Sequence, residues 1–230
     1  MKLFYLFIFN LSFITVSCTS QKLNNISTPV TDINYRYETE RLSILPPIGN
    51  NWEMVNYETT GAISFYSYNQ GSRNLHIGVQ PFPYHISANN FNKFLQEELL
   101  AVKVDQSKID RGNYMYKYSH KVYVSTKAGM RCITREVFNG ATKYRGNTIT
   151  IDYFCEQPNQ PNDFPLIKVS FSDSVVPGLQ LSDPDIIMAP IWNSIKFKPV
   201  DRTKSIAYQD WKIKNSKLRE QKKRNNENAY

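Results

Sequence analysis

Hydrolases and transferases need a nucleophile beside a base, paired carboxylates or a metal. The candidates singled out by type and position are the three histidines, the three cysteines and the pair Asp183 and Asp185. His76, in NLHIGVQPF, and His120, in YKYSHKVYV, fall in the middle of strand-like stretches. There an imidazole that is hydrogen-bonded or turned to water is commoner than a ligand. His85, between Pro83-Tyr84 and Ile86-Ser87, sits in a loop and is the best placed of the three, yet no carboxylate or nucleophile stands beside it. Asp183 and Asp185 could supply half of an acid–base or calcium site. The run Ser182-Asp183-Pro184-Asp185 reads first, however, as a helix start whose carboxylates cap the helix and complement its dipole. No HExxH, Gly-x-Ser-x-Gly or Gly-rich phosphate loop occurs. The expectation is no catalytic residue, no metal site and no cofactor.

Cys18 ends an N-terminal apolar run, which leaves Cys132 and Cys155 as an even pair. They lie in GMRCITREVF and TITIDYFCEQ, both rich in β-branched and aromatic residues, on either side of the turn-like 139–147. A hairpin is the simplest connection. With its turn centred between Lys143 and Tyr144, Cys132 stands opposite Cys155, Phe138 opposite Ile149 and Glu136 opposite Ile151, so a disulfide is predicted. A one-residue slip would undo that pairing. The competing reading is a reactive cysteine with a histidine partner, but a facing pair in an exported protein is normally oxidised. Zinc is disfavoured, because neither cysteine has a second ligand at local spacing.

Aromatic residues form a second group of candidates, with 15 Tyr and 13 Phe. Residues 65–84 contain Phe65, Tyr66, Tyr68, Phe82 and Tyr84. In YMYKYSHKVY, Tyr114, Tyr116 and Tyr118 share one face of a predicted strand, with Lys117 and Lys121 on its reverse. Such a face is a candidate platform for a glycan, peptide or protein; the alternative is a half-buried strand with its phenol tips in water.

The elements that position these residues follow from periodicity. Strands are predicted at 52–58, 63–69 and 74–82, with turns at Thr60-Gly61 and Asn69-Gln70-Gly71. In SANNFNKFLQEELLAVKV, Phe91, Phe94, Leu95, Leu99 and Val102 recur at spacings of three and four, predicting an amphipathic helix capped by Ser87 or Asn89. Strands at 114–126, 129–139, 147–156 and 166–174 follow. A closing helix starts at Pro184, and Pro190 should kink or restart it. The expected fold is one α+β domain at 41–200: a mostly antiparallel sheet of six or seven strands covered by two helices. This order, opening on Pro46, Pro47 and Trp52, resembles the PsbP/Mog1-like fold across roughly residues 42–198. The resemblance implies a shape, and a group whose members are often binding or assembly proteins.

The two ends of the chain carry the address. Residues 1–17, MKLFYLFIFNLSFITVS, place Lys2 before an apolar run too short to cross a bilayer comfortably, which is the pattern of a signal peptide. Thr15-Val16-Ser17-Cys18 resembles the lipobox of bacterial lipoproteins, departing from it at Thr15, where that family prefers Leu. The resemblance implies lipidation of Cys18 as the mature N-terminus. Thr19 in place of Asp implies the outer membrane by enteric sorting rules, facing the periplasm or the cell surface. An ordinary secretory signal, with Cys18 incidental, is the alternative. Residues 18–40 are polar and aperiodic, and read as a tether.

At the other end, 201–230 holds nine Lys/Arg against four Asp/Glu, out of a net charge of +8 for the chain. Lys212, Lys214, Lys222, Lys223 and Arg224 are its candidate contacts for anionic lipid, acidic glycan or an acidic protein. A solvated, frayed end is the alternative. Export removes nucleic acid as a partner, and the oligomeric state does not follow from the sequence. A mean hydropathy of −0.48 excludes a multi-span membrane protein. The expected function is a non-enzymatic, envelope-anchored binding or assembly module. The alternative is an envelope hydrolase acting on peptidoglycan or lipid through His85 and an acidic residue.

Overall fold

The structure is a computed structural model that describes residues 27–49, 51–57, 61–69, 71–82, 90–110, 118–141, 146–158, 165–199 and Ile213, with the backbone alone at 106–110. In chain order the strands are β1 (Thr28–Pro29), β2 (Tyr37–Glu38), β3 (Leu42–Ile44), β4 (Trp52–Tyr57), β5 (Ala62–Asn69) and β6 (Arg73–Phe82), followed by helix α1 (Phe91–Asp110). Strands β7 (Tyr118–Lys127), β8 (Met130–Asn139), β9 (Thr148–Glu156) and β10 (Leu166–Val175) precede helix α2 (Pro184–Ser194) and β11 (Lys196–Phe197). Eight strands form one antiparallel sheet in the order β1-β4-β5-β6-β10-β9-β8-β7, and β11-β3-β2 form a small second sheet.

Alternation assigns the two faces. On β10, Ile167, Val169 and Phe171 are buried on one side, while Lys168, Ser170 and Ser172 are half-buried on the other. The apolar, inner face continues through Phe65, Ile77, Val79 and Ile151. It packs against Leu42 and Ile44 of the small sheet and Met188, Ile191 and Trp192 of α2. The outer face is apolar only at one end, where Phe82, Ile133, Phe154 and Leu166 pack under Phe91, Phe94 and Leu95 of α1. Each large side chain removed from water here contributes roughly 1.5–3 kcal/mol, so both coverings are held by ordinary apolar burial. The β7–β8 hairpin turns on Ala128 and Gly129, both at positive φ (51° and 76°), as a two-residue turn matched to strand twist requires.

Cys132 faces Cys155 in the β8–β9 register, with Phe138 opposite Ile149 and Glu136 opposite Ile151. The two cysteines form a disulfide, with Cα atoms 3.9 Å apart.

Five expectations are corrected. The sheet has eight strands, and a second sheet exists, because strands of two or three residues have no period to read. The stretch 18–40, read wholly as tether, supplies β1 and β2: the Val30 amide donates to the Trp52 carbonyl at 2.8 Å and Tyr37 enters the core. On α1 the cap is Asn90, whose Oδ1 accepts from the Lys93 amide at 2.9 Å. The face of α1 turned to the sheet carries Glu98, 6% exposed, while Leu99 is 40% exposed. Finally, α2 does not restart at Pro190 but continues through it. The carbonyl that Pro190 leaves without a partner is that of Ile186, on the water side of the helix at 60% exposure. Asp183 caps α2 as expected, accepting from the Asp185 amide at 2.9 Å, and Asp185 pairs with Lys127.

Candidate binding face

Because α1 covers one end of the outer face and then runs along β7, the rest is shaped by which residues alternate outward. Strand register places Tyr66, His76, Ser172, Thr150 and Val137 side by side in one row across β5, β6, β10, β9 and β8. The next row is Tyr68, Asn74, Ser174, Thr148 and Asn139. No described element packs over these two rows, and their residues are half-buried or exposed, Tyr68 at 58%.

The rows are internally ordered. Tyr66 stacks on His76 with ring centroids 4.6 Å apart, and the Tyr68 ring lies parallel to that of Tyr66 at 6.2 Å. Hydroxyls pair across strands, Thr148 with Ser174 at 3.0 Å and Thr150 with Ser172 at 3.4 Å. The phenols of Tyr57 and Tyr66 meet at 3.1 Å. That hydrogen bond, followed by burial, pushes Tyr57 up to about 12, so it stays protonated at any physiological pH. Burial, then the nearby Lys168 ammonium, hold His76 below the ordinary imidazole value against the opposing pull of Asp152, which favours the neutral ring at pH 7.

Between these rows and α1 lies a cluster of ion pairs. Asp152, with its side chain 6% exposed, bonds Arg135, sits 3.0 Å from the Lys168 ammonium and accepts from the Ser170 hydroxyl at 2.7 Å. Arg135 reaches on to Glu98 of α1 at 3.3 Å. Burial alone would raise Asp152; Lys168, the Ser170 hydroxyl and Arg135 together outweigh it and hold the carboxyl below its ordinary range. Arg135 and Lys168, beside the polar rows, are therefore already bonded to carboxylates. A similar contact fastens the far part of α1. The Asp105 carboxylate accepts from the Tyr118 hydroxyl at 3.0 Å and lies 2.9 Å from His120 Nδ1. His120 Nε2 is buried with no hydrogen-bond partner among the described residues, and the His120 side chain is 7% exposed.

The predicted tyrosine trio is thus located only in part. Strand β7 begins at Tyr118, whose phenol serves Asp105, and Lys121 pairs with Glu136 at 3.7 Å on the other face. Tyr114, Tyr116, Lys117 and His85 lie outside the described residues, as do Cys18 and the tail cations Lys212, Lys214, Lys222, Lys223 and Arg224. On the outer face the structure brings together Tyr57, Tyr66 and Tyr68. The signal for their face was alternation itself: VSFSDSV and TITID put hydroxyls at every second position.

No family model matches the chain, and no curated protein does. Two solved structures are similar in part. One is LpqN of Mycobacterium tuberculosis, described as involved in cell envelope biogenesis, at 9% identity and a TM-score of 0.37, covering 76% of this chain and 91% of that one. The other is the cyanobacterial PsbP protein CyanoP from Synechocystis sp. PCC 6803, at 12% identity and a TM-score of 0.37, covering 71% and 92% respectively. Likeness of this degree carries no inference about role.

Proposed function

We propose that this chain is a non-enzymatic binding module of the bacterial cell envelope, held there by acyl chains on Cys18, that engages its partner through the two polar rows of the large sheet. The observation that supports this reading is the outer face itself: ordered rings and hydroxyls, left uncovered by every described element, on strands whose other side is the core. A face held this rigidly costs little to order on binding. The anchor reading rests on the Val16-Ser17-Cys18 run after an apolar segment, and outer-membrane placement on Thr19 in the next position. The basic tail is proposed as an auxiliary contact for anionic headgroups.

Site-specific photocrosslinking in intact cells tests the reading. A photoreactive residue at Tyr68 should give adducts that weaken when Tyr66 is also replaced by Ala. One at Ile186, equally exposed at 60% but on α2, should give none. Adducts from Ile186 and none from Tyr68 would place the contact elsewhere.

A further inference from the structure

The chemistry of the two rows selects among partners. In a chain of net charge +8, neither row contains an Asp, Glu, Lys or Arg from β5 to β8; the first row ends against exposed Glu53 of β4, opposite Tyr66. An anionic polymer or headgroup needs accessible cations, and among the described residues beside the rows Arg135 and Lys168 are bonded to Asp152 and Glu98, while Arg73, next to Asn74, is engaged by Asp173 and the Gln180 carbonyl. An extended peptide binds by adding a strand to a sheet edge, whereas β5, β6, β10, β9 and β8 each have a neighbour on both sides. A wholly apolar ligand would leave unused the hydrogen-bonding capacity that the Ser and Thr hydroxyls keep beyond their cross-strand bonds.

An uncharged glycan meets each of these conditions. Every sugar hydroxyl both donates and accepts, as Ser172, Ser174, Thr148 and Thr150 do, and each of these has bonding capacity beyond its single cross-strand bond. The C–H face of a pyranose packs on an aromatic ring, and Tyr68, at the outer end of the His76-Tyr66-Tyr68 row of rings, is the most exposed of the three. Five strands spaced about 4.8 Å apart make each row about 19 Å long, which suits an oligosaccharide better than a single sugar. The geometry points to a linear, uncharged glycan strand as the ligand of this face, lying across β5 to β8 with Tyr68 as its stacking ring and the Ser/Thr ladder as its hydroxyl partners. This rests on the binding-module reading and narrows it.

The test is titration of the full-length chain, in a sugar-free detergent, with cellohexaose, with the N-acetylglucosamine hexasaccharide and with a hyaluronan hexasaccharide as the polyanionic arm. Binding of at least one uncharged hexasaccharide is expected, more tightly than hyaluronan. It should weaken about tenfold in Tyr68→Ala, the loss of one ring contact, and measurably in Ser172→Val, with the thermal melt of each variant unchanged. Three results would overturn the assignment: no binding of either uncharged hexasaccharide, preference for hyaluronan, or affinity indifferent to both substitutions. A Tyr68-dependent protein adduct in cells without glycan binding would remove the glycan and keep the binding face. Absence of both would remove the two together.

Discussion

Asp152 carries more of the outer face than any other single side chain, since it is nearly buried and holds Arg135, Lys168 and Ser170 at once. Asp152→Asn leaves Lys168 without its carboxylate and Arg135 with Glu98 alone, and an expected loss of about 3 kcal/mol in denaturant unfolding follows. Replacing Lys168 alone should cost less, because Arg135 still answers the carboxylate. His76 gives the face a pH signature. Its folded pKa lies below the 6.5 of an exposed imidazole. Above that pH both folded and unfolded chains hold it neutral, and stability is unaffected. As pH falls below 6.5 the unfolded chain takes up a proton that the folded chain refuses, so stability declines until the folded pKa is passed. His76→Gln should flatten the pH dependence of the melting temperature over that window; an unchanged slope would show that another group sets it.

Strand register and helix cover belong to the scale of elements. The β8–β9 disulfide closes a loop of 23 residues, so its reduction should cost about 3 kcal/mol in the loop-entropy picture. Quantitative thiol labelling of Cys132 and Cys155 in unreduced, denatured protein would contradict the bond. That hairpin was legible because a turn-like 139–147 between two β-branched runs fixes which residues oppose, and two cysteines fall on opposed positions. The buried face of α1 was less so: hydropathy assigned Leu99 to it, whereas Glu98 takes the place because Arg135 waits 37 residues away to pair with it. Periodicity sees apolar spacing and is blind to a distant counter-charge. The candidate site was half legible for a similar reason. Tyr66 and Tyr68 and the alternating hydroxyls stand in the sequence, but that α1 packs on the Phe82–Phe154 end of the outer face and then follows β7 to Tyr118 and His120 comes from packing alone.

At the scale of the whole molecule the account joins an anchor, a rigid sheet and a basic tail. Cys18→Ser should move the protein from the membrane to the soluble fraction, since each buried methylene of an acyl chain contributes about 0.8 kcal/mol; unchanged partitioning would put the anchor elsewhere. Deleting residues 203–230 should remove weak, salt-sensitive binding to anionic vesicles while leaving the melt of the domain in place, each lysine there contributing about 1 kcal/mol. Equal binding by both forms at low salt would exclude the tail as the contact. The central claim, that the polar rows are occupied in the envelope, is tested most directly by hydroxyl-radical footprinting of the protein in native envelopes and after purification. Tyr68, 58% exposed, is the reporter, and Tyr123, 43% exposed on the inner-face side of β7, is the internal standard. The expected result is a several-fold drop in Tyr68 oxidation in envelopes with Tyr123 unchanged; equal oxidation of Tyr68 in both preparations would contradict the account.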